Sequence, residues 1–333
     1  MQFDSSTADK EGLFDIFLNK GFKYRYIQTS RNSYAVCMGQ ENFDMQELGD
    51  LPGVKDVHFI DKTYVLVSRM WRNKDTVIDF GDGLKISRTN LTIVAGPCSI
   101  ESEDQVVETV GVFKENGIKF MRGGVFKPRS SPYSFRGLSL EGLKFFWKHC
   151  RANGIKVVTE VMDCSQIDKM YDYVDVFQVG AGNMQNFDLL DALGKVNKPV
   201  LLKRGLSATL EELLSSAEYI FSGGNEDIIL CERGIRSFDK TFRNTLDLNA
   251  IPYLKEKSYL PVFCDPSHDV GVRQFIEVKA LAAIMASADG IMLEIHSTPE
   301  KAFSNNFQTR SFREFIDSFD RIRKTYIFRK TIF

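Results

Sequence analysis

The stretch KFMRGGVFKPRSSPYSFRGL, residues 119–138, carries Arg122, Lys127, Arg129 and Arg136 and no acidic residue, with Gly123, Gly124, Pro128 and Pro132 shaping the backbone between them. Lys203 and Arg204 close a second apolar run, and Arg233 and Arg236 follow a third. The arginine fork matches phosphate oxygens two at a time, and lysine adds a point charge. A single arginine of this kind is more often a solvated loop charge. Repeated placement at the ends of apolar runs instead predicts a site for more than one anionic group, such as two phosphates or a phosphate and a carboxylate. A second set could hold a metal: Cys98 after AGP, His268 at the end of DPSH, and Glu294 in the last apolar run. Thiolate, imidazole and carboxylate together suit a borderline divalent cation such as Mn, Fe, Co or Zn. Their spacing is long-range, with no CxxC or HxxxH pair, so only the fold can bring them together.

The elements that must do so recur from residue 91 onward. Eight short apolar runs, LTIVAG, IKFMRGG, IKVVTEV, VDVFQVG, PVLLKRG, DIILCERG, LPVFCDPS and GIMLEIH, fit parallel strands buried on both faces. Helical periods lie between them, as in SEDQVVETVGVFKENG, SLEGLKFFWKHCRANG and TLEELLSSAEYIFSGG. Each ends on glycine, and Thr209 opens the last as an N-cap. Eight strand–helix units in this length predict an α/β fold, a (β/α)8 TIM barrel, over an open doubly wound sheet. Cys98, Arg122, Glu160, Lys203, Arg233, His268 and Glu294 all stand at or just past strand C-termini, where a barrel builds its site.

Residues 1–70 read differently. KEGLFDIFLNKG and DMQELGDLPG look helical, and YAVCMG and TYVLVSRM look like strands, a β-α-β-α-β order for a small α+β domain with an antiparallel sheet. The polar residues 71–90 then form a linker to a barrel spanning 91–333. The chain of 333 residues has 43% hydrophobic and 26% charged residues and a formal net charge of -1, which argues against a nucleic-acid partner. No apolar run reaches the roughly 20 residues of a membrane span. Six scattered cysteines and no secretory leader pattern predict reduced thiols in a cytoplasmic protein.

AGPCSIES, RGGVFKPRSSPYSFRGL, KPVLLKRG, LCERGIRSF, DPSH and LEIHSTPEKAFSN strongly resemble the 3-deoxy-D-arabino-heptulosonate-7-phosphate (DAHP) synthase family. The likeness is to its type Iβ branch, which shares ancestry with the 3-deoxy-octulosonate-8-phosphate synthases. It extends upstream to YVLVSRMWRNKDTVIDFG, similar to the connection from the ferredoxin-like, ACT-like regulatory domain of some members. The resemblance implies a transferase that condenses phosphoenolpyruvate with erythrose 4-phosphate and releases phosphate, the first step of the shikimate route to chorismate and the aromatic amino acids. It assigns Lys127, Pro128, Arg129 and Ser130 to the aldehyde and its phosphate, Arg122, Lys203 and Arg233 to phosphoenolpyruvate, and Glu160 to the reacting end. Lys127 would act as general acid. Cys98, His268, Glu294 and Asn305 fall on the metal-ligand positions of a divalent ion. The family also implies a homotetramer and feedback control by an aromatic amino acid such as tyrosine or phenylalanine.

Two positions depart from the family's pattern. Asn305 stands where the fourth ligand is an aspartate, so it brings a carbonyl oxygen without charge, and metal affinity should fall. Gly182 stands where GAR places an arginine on the phosphate. These changes leave open a divergent relative with another donor–aldehyde pair, or a ligand-sensing barrel without turnover.

Overall fold

The computed structural model describes residues 1–3, 10–39, 44–127, 133, 135–269, 271–304 and 307–333. Eight parallel strands form the barrel: Thr92–Gly96, Phe120–Arg122, Lys156–Glu160, Val176–Val179, Val200–Lys203, Ile228–Glu232, Val262–Cys264 and Gly290–His296. Each lies inside an apolar run expected to be a strand. The ring closes where the eighth strand pairs with the first, from Gly290↔Thr92 to Glu294↔Gly96. The helices follow the expected punctuation. Ser102 caps Glu103–Asn116, which ends on left-handed Gly117. Thr209 and Glu212 make a reciprocal capping box on Leu210–Ser222.

Side-chain alternation along the strands fixes what the barrel encloses. Val94, Phe120, Val158, Val176, Leu201, Ile229, Phe263 and Met292 form one apolar layer inside the ring, one from each strand. Because strand side chains repeat every second residue, the next inward positions are Gly96, Arg122, Glu160, Gln178, Lys203, Cys231, Asp265 and Glu294. Going up one layer therefore changes the interior from hydrocarbon to charge. The lower mouth is plugged. Ile78–Asp79 and Lys85–Ile86 form an antiparallel hairpin within the stretch expected to be only a linker, and Ile78 and Ile86 pack into the same apolar cluster.

The N-terminal domain is a four-stranded antiparallel sheet with spatial order Lys23–Gln28, Ser33–Met38, Gln2–Phe3, Val54–Asp56, accompanied by helices Lys10–Asn19 and Met45–Gly49. In chain order this is β-α-β-β-α-β, the ferredoxin-like arrangement, rather than the shorter order expected. The additional strand is Lys23–Gln28, which pairs with Ser33–Met38 along its whole length. One expectation fails here. The TYVLVSRM segment, expected as a strand, forms no ladder and instead docks the domain onto the barrel. Leu66 and Val67 donate their N–H groups to the Glu218 carboxylate at 3.0 and 3.1 Å, and Tyr259 O–H donates to the Leu66 carbonyl. Tyr64, Leu66 and Val67 are buried in this docked segment, so the pattern that resembles a strand comes from docking. Buried Glu226 adds a polar clasp, accepting from Thr29 Oγ1, from Tyr34 O–H at 3.1 Å and from Arg72 at 3.4 Å.

Candidate active site

The three candidate metal donors come from three adjacent strands. Cys98 lies two residues past the end of the first, Glu294 lies in the eighth, and His268 follows the seventh. Barrel closure makes these strands neighbours. The Cys98 Sγ, a His268 ring nitrogen and a Glu294 oxygen all lie within 4.8 Å of one another. His268 Nε2 is 3.0 Å from Glu294 Oε1. Two donors that share one ion at about 2 Å each stand at much this separation.

The surrounding groups orient these donors. Asp265 accepts from His268 Nδ1 at 2.7 Å, which leaves Nε2 facing Glu294, the carboxylate–histidine arrangement of metal sites. The same Asp265 oxygen accepts from Lys203 Nζ at 2.5 Å. Arg122 donates to Glu294 Oε1 at 2.7 Å, and Gln308 donates to its Oε2 at 2.6 Å. The Glu294 N–H donates to Ser267 Oγ at 3.0 Å. Burial alone would raise the Asp265 and Glu294 carboxyls. Nearby His268, with Lys203 beside Asp265 and Arg122 beside both, instead holds each below the usual carboxylate range. Burial would lower His268, but the two carboxylates raise it to about 9. In the metal-free protein a proton on His268 thus occupies the electrostatic role a cation would take. The donor set, its spacing and its hydrogen-bonded support fit a divalent ion.

The cations line the same mouth. Arg122 is buried, and its Nε has no hydrogen-bond partner among the described residues, a donor available to an anion at the floor. Lys127 Nζ donates to the Cys98 sulfur at 3.5 Å. Gly124 makes that reach possible, since a Cβ there would stand 2.4 Å from the Lys127 nitrogen. Arg233 donates to the His268 carbonyl at 2.6 Å. The Glu160 carboxylate folds across to the fourth strand, where a Cβ on Gly180 would meet Oε1 at 2.0 Å. Arg122, Lys127, Glu160, Lys203, Arg233, Cys98, His268 and Glu294 are therefore brought to one mouth.

Other expectations divide. Pro128, Arg129, Ser130 and Asn305 lie outside the described residues. Arg204, grouped with the clamp by its neighbour Lys203, faces away from the barrel axis. It donates to Glu232 at 2.9 Å and Asp247 at 3.0 Å, and its Nε donates to the Ala208 carbonyl. Side chains alternate along a strand, so with Leu201 and Lys203 pointing in, Arg204 points out. Asp265 and Gln308 were not among the predicted site residues. Asp265 had a usable signal, two residues beyond inward Phe263, while Gln308 had none because its contact depends on chain return.

A family model described as DAHP synthetase I family matches residues 75–325. A Thermotoga maritima protein called phospho-2-dehydro-3-deoxyheptonate aldolase is 47% identical over 300 residues, which cover 87% of this chain and 88% of that one. A 2-dehydro-3-deoxyphosphooctonate aldolase from Nitrobacter hamburgensis is 32% identical over 245 residues, 68% of this chain and 84% of that one. The crystal structure of the Thermotoga maritima DAHP synthase superposes with a TM-score of 0.78 at 41% identity, covering 97% of this chain and 95% of that chain. With the barrel, the mouth and these likenesses in agreement, the chain belongs to the DAHP synthetase I family.

Proposed function

We propose that this chain is a DAHP synthase, condensing phosphoenolpyruvate with erythrose 4-phosphate to give DAHP and inorganic phosphate. The observation that carries this reading is the likeness to the Thermotoga enzyme, 47% over 300 residues. The clustered Cys98, His268 and Glu294 beside Lys127, Lys203 and Arg233 support it.

In this reading Arg122, Lys203 and Arg233 hold the phosphate and carboxylate of phosphoenolpyruvate, and Lys127, Pro128, Arg129 and Ser130 hold the aldehyde substrate. A divalent ion such as Mn, Fe, Co or Zn on Cys98, His268 and Glu294, with Asn305 as a neutral fourth donor, would supply Lewis acidity to the aldehyde carbonyl. C3 of phosphoenolpyruvate forms the new carbon–carbon bond, and Lys127 delivers a proton to the oxygen that becomes the hydroxyl. Glu160, at the reacting end, orients the water that adds to C2, after which inorganic phosphate leaves. Asp265 keeps His268 and Lys203 in place throughout.

The ferredoxin-like domain, taken as residues 1–70, is read as a regulatory unit that binds an aromatic amino acid and pairs across subunits of a homotetramer in the cytoplasm. A structure of a truncated Thermotoga DAHP synthase covers 79% of this chain, which supports treating the barrel as the catalytic unit. The test is phosphate release from the two substrates after EDTA treatment and again with added Mn²⁺. Restored release with an equal amount of DAHP is expected. Silence from folded, metal-loaded protein would overturn the reading and favour another donor–aldehyde pair, tied to Gly182 and Asn305.

A further inference from the structure

Gln308 belongs to none of the motifs above, yet it is buried to 3% exposure against Glu294. The chain returns to bring it there. Arg310–Ser311 forms a short parallel strand beside Ile295–His296, so the residues just before it run alongside the Glu294 end of the eighth barrel strand. The amide then bridges two charged groups. Its Nε2 donates to Glu294 Oε2 at 2.6 Å, and its Oε1 accepts from Arg243 Nη1 at 3.5 Å. A carboxylate only accepts and a guanidinium only donates, so a single orientation of the amide satisfies both. The other Glu294 oxygen already meets Arg122 at 2.7 Å and His268 at 3.0 Å.

We propose that Gln308 is a positioning residue for Glu294 as a metal ligand, fixing the rotation of the carboxylate so that Oε1 faces His268 and Cys98. The inference rests on the metal-binding part of the proposed function. Its physical basis is that an outer hydrogen-bond partner orients a ligating carboxylate. A neutral amide does so without adding another positive charge beside Arg122, which would compete with an incoming cation.

The test is Co²⁺ titration of the metal-stripped full-length chain, followed by the thiolate-to-cobalt absorption band and by competition with a chelator. Gln308→Leu and Gln308→Met keep the side-chain bulk and remove the donor. Each is expected to weaken the Co²⁺ Kd about 10–100-fold, with the thiolate band regained at saturation and turnover recovered by excess metal. Arg243→Leu changes an exposed side chain, so it provides a variant with little risk to folding. Loss of a nearby positive charge would tighten cation binding if charge alone mattered, whereas loss of the amide's anchor weakens it, and weaker binding is expected. Folded Gln308 variants with a Kd within about twofold of the parent, and a lower melting temperature only, would reduce Gln308 to a structural role and overturn the proposal. A parent protein that takes up no Co²⁺ would overturn the metal-site reading and this inference with it. Cobalt uptake without DAHP formation would overturn the catalytic reading alone.

Discussion

Arg122 and Glu294 stand 172 residues apart in the chain and meet inside the barrel at 2.7 Å, with both side chains almost fully buried. The cation that has no acidic neighbour in its own loop finds one across the barrel closure. Removing one partner of such a pair leaves a charge in low dielectric, which costs about 3–5 kcal/mol. His268 and Gln308 still contact Glu294, so Arg122→Met should fall at the lower end, about 3 kcal/mol. Urea unfolding of metal-free protein measures it. A loss below about 1 kcal/mol would mean that water reaches the Glu294 carboxylate.

Stability of the metal-free protein should depend on pH in two windows. His268 titrates near 9 in the fold against an ordinary 6.5, so its contribution is complete below about pH 6.5 and disappears as pH rises through about 9. Asp265 and Glu294 are shifted the other way, so their contribution holds above about pH 4 and is lost as the solution becomes more acidic. The melting temperature should therefore peak between about pH 5 and 6.5 and fall toward pH 9.5, a loss of about 3 kcal/mol from His268. Bound metal requires neutral His268, so the alkaline fall should shrink with saturating Mn²⁺. Thermal denaturation with EDTA and with Mn²⁺ compares the two, and identical alkaline falls would count against His268 as a ligand.

Gly124→Ala tests the position of Lys127 without removing it. The new Cβ would land 2.4 Å from the lysine nitrogen, the mobile end of a flexible side chain, and 3.0 Å from the Cys98 backbone carbonyl, which must also give by a few tenths of an ångström. Lys127 would be pushed off the Cys98 sulfur. With Lys127 as the proposed general acid, its displacement should lower kcat by about 100-fold or more, with only a modest fall in melting temperature. Steady-state kinetics beside a melt would decide it: an unchanged kcat would remove Lys127 from proton transfer.

Gly182→Arg places a cation just past the fourth barrel strand. A Cβ at Gly182 meets nothing within 4 Å, so the substitution should be accepted by the fold. One added charge-assisted contact to phosphate contributes about 1.5–3 kcal/mol. The KM for phosphoenolpyruvate should fall about 10–100-fold while the KM for the aldehyde stays put. If neither moves, position 182 lies beyond reach of the phosphate.

Much of this protein follows from local pattern. The eight barrel strands, the cap at Thr209 and the residue types at the mouth are legible because period-two burial and helix capping are properties of short segments. Tertiary structure decided the rest. The same alternation that turns Lys203 inward sends Arg204 to Glu232, and it can be read only once the inward face is known. The segment around Leu66 and Val67 resembles a strand because it is apolar, but docking on Glu218 claims its N–H groups. Ile78 and Ile86 sit in a polar stretch and become the floor of the barrel. Composition and local spacing determine which groups are available. Which of them meet depends on ring closure for Arg122 and Glu294, 172 residues apart, and on chain return for Gln308 and Glu294, 14 apart, because neither contact follows a strand or helix period.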